Sequence, residues 1–157
     1  VNPDLSSYTA ETLRGADART LFPNSHAPEA ALAGLWISLN EHQPAHELAQ
    51  GIESAEGSLW HAILHREEPD PVNAAYWFRH VGKTHPCYPG IAAAAREILK
   101  RYPEAGFQVG QNWDPYAFID FCESARAGNN PQAQQAADEI RKAEWGVVFE
   151  YCVRPKP

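Results

Sequence analysis

The chain has 157 residues and a formal net charge of −7, with 20 acidic against 13 basic side chains. That balance repels phosphate backbones and anionic bilayers, so no nucleic-acid and no membrane partner is expected. Apolar residues make up 44% and aromatic residues 11%, enough for one globular core and too much for a disordered chain.

Cys87, Cys122 and Cys152 are odd in number and widely spaced, and no Cys-x-x-Cys pair occurs. The pattern fits neither a disulfide framework nor a zinc ribbon and points to a reducing compartment. Apolar runs fall short of the roughly 18 residues that a membrane helix needs. Residues 1–13 are polar and do not resemble a secretory leader. A cytoplasmic location is the resulting expectation.

Residues 1–26 read as a weakly organised segment with two short helices, near 8–13 and 16–22, the second stopped by Pro23. Leu13, Leu21 and Phe22 are its anchors on the main body, a helical domain over 27–157. Pro28, Pro44, Pro71, Pro115 and Pro131 then each stand just ahead of a helical pattern. Proline suits a first turn because the N–H it lacks would be unpaired there. Asp70, Asp114 and Asn130 precede three of these prolines and can cap the free N–H groups.

The spacing of apolar residues predicts helices over 28–39, 44–52, 55–67, 71–82, 91–101, 115–127 and 131–151. Residues 102–111 hold Pro103, Gly106 and Gly110 and read as the longest internal loop. Period-two alternation never extends beyond a few residues, so no sheet is expected. The fold class is all-α: one domain of six or seven antiparallel helices in stacked hairpins, with a long C-terminal helix closing the bundle.

The 57–86 hairpin resembles a tetratricopeptide unit through Trp60, Ile63, Ala74, Phe78 and Pro86. It departs from that pattern at Leu64, where Gly is expected, and at Glu67, where Tyr is expected. The chain is also similar to an uncharacterised helical family that shares four phrases. These are Ala-His-Glu-Leu-Ala-Gln at 45–50, Trp-His-Ala-Ile-x-His-Arg-x-Glu at 60–68, Tyr-Trp-Phe-Arg-x-Val-Gly with a His-Pro at 76–86, and Trp-Asp-Pro-x-x-Phe-x-Asp-x-Cys at 113–122. That resemblance implies the helix boundaries and brings no activity with it.

His61 and His65 are four apart on one predicted helix, so both rings can address one ion. His46, on the preceding helix, is the candidate third ligand for a transition metal such as zinc. Glu67 and Glu68 are the candidate catalytic carboxylates. The same two histidines also suit a packed core, with His61 beside Trp60 and His65 on a carbonyl or carboxylate. His42 and His46 are expected to straddle a turn because Pro44 lies between them. His-Glu-x-x-His, Gly-rich phosphate loops and Gly-x-Ser-x-Gly are missing.

Arg66, Glu67, Glu68 and Asp70, with Arg79 and His80 across the hairpin, form a second polar cluster. It can bind a polar ligand or be no more than a charged helix end. Tyr76, Trp77 and Phe78 cannot all face inward at a period of 3.6, so Tyr76 or Trp77 faces a groove or a neighbouring element. Cys122 looks structural, and Cys87, after Pro86, is the more reachable thiol.

The leading functional expectation is a non-enzymatic module that binds a protein or small molecule. Its groove would be built from His61, His65, Arg66, Tyr76, Trp77 and Arg79. The alternative is a metal-dependent, hydrolytic enzyme using His46, His61 and His65. A homodimer pairing the aromatic and alanine faces is a third reading.

Overall fold

The computed structural model describes residues 5–156, and these residues are all-helical apart from loops and one isolated bridge. Residues 1–4 of the N-terminal segment lie outside the described residues. Among the described residues nine helices follow in order: α1 (Ala10–Leu13), α2 (Ala18–Leu21), α3 (Pro28–Ser38), α4 (His42–Gln50), α5 (Ala55–Glu67), α6 (Pro71–Val81), α7 (Tyr88–Leu99), α8 (Pro115–Ala127) and α9 (Pro131–Val153). Among the described residues no helix is long and apolar enough to cross a membrane.

The helix starts follow local chemistry. Asp70 accepts from the N–H of Asn73, Asp114 from those of Tyr116 and Ala117, and Asn130 from those of Gln132 and Ala133. Ser54 caps α5 through the N–H of Gly57. Such caps contribute about 1 kcal/mol each.

Two starts differ from the pattern reading. Helix α4 begins at His42, with Pro44 third in its first turn, where a missing N–H costs nothing. His42 and His46 therefore share one helix, a turn apart, and do not straddle a turn. Helix α7 begins at Tyr88, with Pro89 in its first turn. Cys87 stands at the N-terminal boundary of that helix in a buried position, 2% exposed, so it is not the reachable thiol that the sequence suggested. Burial and the nearby Glu56 push its pKa up to about 12.

The centre of the molecule is the pair α3 and α5. Helix α3 packs on α2, α4, α5 and α9, and residues 30–36 are all buried. Helix α5 packs on α3, α4 and α6, and residues 56–66 are all buried. Neither helix keeps a solvent face, so the one-sided stripes expected for both give way to burial all round. For α5 the consequence is chemical, because His61, His65 and Arg66 are carried inside with the apolar residues.

Helices α3 and α5 meet at a glycine. Trp60 is fully buried, and a Cβ on Gly34 would lie 2.6 Å from its ring. The Trp145 indole N–H donates to the Gly34 carbonyl at 2.8 Å, which fastens α9 to the same point. Gly34→Ala forces Trp60 out of its well and should cost about 1–3 kcal/mol, read as a lower urea midpoint with an unchanged slope.

The N-terminal segment is packed onto this body. Leu13 and Phe22 are buried, and Phe22 meets Phe149 edge-on at 5.8 Å. His26 N–H donates to Arg154 C=O at 2.8 Å and Ala27 N–H to Cys152 C=O at 2.9 Å.

Candidate metal centre

Helices α4 and α5 run side by side, joined by a short turn over residues 51–54. His46 projects from α4 toward His61 and His65, one turn apart on α5. One ligand nitrogen from each ring lies within 4.8 Å of the other two. The His46 ring meets His61 edge-on at 4.7 Å and His65 at 5.5 Å, while His61 and His65 stack at 4.9 Å. A tetrahedral zinc with Zn–N of about 2.0–2.1 Å holds its nitrogens about 3.3 Å apart, so ligation shortens the nitrogen–nitrogen separations by at most about 1.5 Å, a movement of under about 1 Å for each ring.

His61 decides the character of the cluster. It is 2% exposed, and neither Nδ1 nor Nε2 has a hydrogen-bond partner. A buried imidazole left so costs about 1–3 kcal/mol per unsatisfied group. Trp77 covers one ring face, stacked at 3.9 Å and 17°. Burial, then the neighbouring His65 and His46, lower the His61 pKa to about 4. Burial lowers that of His65 too, against the pull of Glu68. Both rings are thus held in the neutral form that ligates metals.

The sign of the pH effect follows. His61 has a folded pKa of about 4 against its ordinary 6.5, so the unfolded chain takes up its proton first. Glu56, held at about 2 by His85 and then His26, is 3.4 Å from each of those rings and adds a second acid-side loss. Stability should be full above pH 6.5, fall toward pH 4 through His61, and fall again between 4.5 and 2 through Glu56. Urea titrations at stepped pH check this, and His61→Phe should flatten only the upper limb.

The other candidate residues disperse. Arg66 turns away into the core, 1% exposed, with its Nη1 2.9 Å from Glu144 Oε2, its Nη2 on Oε1 and its guanidinium 4.7 Å above Phe118. Glu67 pairs with Arg66 and Arg141. Asp70 caps α6, and its Oδ2 stands 3.9 Å from His65 Nδ1. Arg79 is exposed, 5.9 Å over the Tyr76 ring, and His80 lies 3.1 Å from the Tyr76 carbonyl. Tyr76 is 46% exposed and meets the half-buried Trp77 edge-on. Glu68 reaches two of the histidines, with Oε2 3.4 Å from His65 Nδ1 and Oε1 3.7 Å from His42 Nδ1.

Comparison with protein-family models, characterised proteins and solved structures gave no match.

Sequence reasoning missed two features here. One is the place of His42 on α4, hidden by the proline after it. The other is Glu144 as the partner of Arg66, 78 residues away and carrying no local signal.

Proposed function

We propose that this protein binds a first-row transition metal, with zinc the best fit, through His46, His61 and His65. The observation that carries this reading is the buried His61 ring, unpartnered at both nitrogens inside a cluster of three imidazoles. A core histidine kept for packing alone would be expected to find at least one hydrogen bond. Imidazole suits zinc, copper, nickel and cobalt, and the absence of an oxygen ligand from the triad disfavours magnesium and calcium.

Three neutral ligands leave the ion its full double charge and an open position. A water bound there would have its pKa drawn down to about 7, the condition for metal-assisted hydrolysis. Glu67 faces two arginines and Glu68 faces two histidines, so neither candidate carboxylate is directed at such a water. Elemental analysis of protein purified without added metal tests the reading. One equivalent of metal that is lost in His61→Ala supports it; metal-free protein that takes up none on reconstitution sinks it.

A second reading keeps the hairpin as a binding surface. It is favoured by Val72, Tyr76 and Tyr116, the exposed large apolar residues, two of them on α6. Failure of the metal test would leave this reading standing.

A further inference from the structure

We propose that Glu68 is the positioning residue of the metal centre, setting which nitrogen of His65 meets the ion and holding α4 at the right distance. This rests on the triad being a metal site. Glu68 is the C-cap residue of α5, and its side chain folds back over the last turn. Its Oε2 faces His65 Nδ1 at 3.4 Å, and Asp70 Oδ2 faces the same nitrogen at 3.9 Å. Nδ1 makes no hydrogen bond in this fold, but both carboxylates stand within reach of it, which leaves Nε2 as the nitrogen for the ion. A carboxylate behind a ligating imidazole fixes its tautomer and ring plane and raises its donor strength.

The other oxygen works on the neighbouring helix. Glu68 Oε1 lies 3.7 Å from His42 Nδ1, while His42 Nε2 lies 2.9 Å from Asn40 Oδ1. His42 is thereby held at Nε2 by a hydrogen bond, with Nδ1 in ion-pair range of Glu68, one turn before His46 on α4. One carboxylate thus links the two helices that supply the three ligands. Its side chain is 31% exposed, so the link costs less desolvation than a buried ion pair. Glu67, next in sequence, faces Arg66 and Arg141 and serves as the control.

The experiment is cobalt(II) titration of the full chain, followed by its visible d–d absorption. Wild type should bind one equivalent with a tetrahedral spectrum. Glu68→Ala should bind about 10–100-fold more weakly with an altered spectrum, by the usual effect of losing an outer-shell partner. Glu68→Gln keeps an oxygen acceptor and should recover the spectrum and part of the affinity. Glu67→Ala should match wild type. A Glu68→Ala protein that is less stable yet binds cobalt as tightly, with an unchanged spectrum, would overturn the assignment and leave Glu68 a helix cap only. Wild type that takes up no cobalt fails one step earlier, at the metal centre itself.

Discussion

Zinc or cobalt held at one hundred times its Kd should raise the melting temperature by roughly 5–10 °C. Ligand bound only to the folded state contributes about 2.7 kcal/mol at that excess, and a chain of this size gains about 2–4 °C per kcal/mol. The cluster favours such a response because its cost is already present in the apo fold. His61 sits buried with two unsatisfied nitrogens, and burial keeps its proton off down to about pH 4. An ion therefore replaces no hydrogen bond at that ring. Differential scanning fluorimetry with and without metal checks the shift. His46→Ala is the cleanest variant, since His46 is only half-buried and its loss should spare the core. The shift should vanish in that variant and return for wild type after chelation and reloading. An unchanged melting temperature across zinc, cobalt, nickel and copper would remove the metal reading.

Removing Glu144 should be the most damaging single polar substitution in the core. Arg66 and Glu144 are each 1% exposed and joined by two N–H···O contacts between α5 and α9. Burial opposes the Arg66 charge, but the Glu144 carboxylate overrides it and raises the pKa above its ordinary value. Glu144→Ala leaves that guanidinium unpaired beside Phe118 and should cost about 3–5 kcal/mol. Urea unfolding measures the loss. The double replacement Arg66→Met with Glu144→Leu should regain most of it, because two apolar side chains of similar size need no partner. If the single variant loses under about 1 kcal/mol, the pair is not the tie between these helices that its burial implies.

Most of the helical fold was legible in the chain. Proline at first turns, with Asp70, Asp114 and Asn130 before three of them, marks helix starts by chemistry that acts over three or four residues. The apolar stripes of α6 and α8 reported their buried faces for the same reason, whereas the buried face of α9 shifts along its C-terminal half to Glu144, Phe149 and Cys152. The stripes of α3 and α5 did not, because burial on every side erases the contrast between faces. His61 and His65 were readable as a pair from their spacing of one turn. His42 was misplaced because a proline inside a first turn looks like a break from the sequence alone.

The sequence by itself thus determined most of the helix boundaries and the sharing of one helix by His61 and His65. Tertiary structure decided what those histidines are. Packing on α3, α4 and α6 buries α5 completely, strips His61 of water and hydrogen bonds, and brings His46 to it across a helix gap. It also paired Arg66 with Glu144, so the one arginine of the motif became core structure instead of site. Capping and periodicity act along the chain, over a few residues. Desolvation and the convergence of ligands depend on which helices pack together, and no local pattern carries that information.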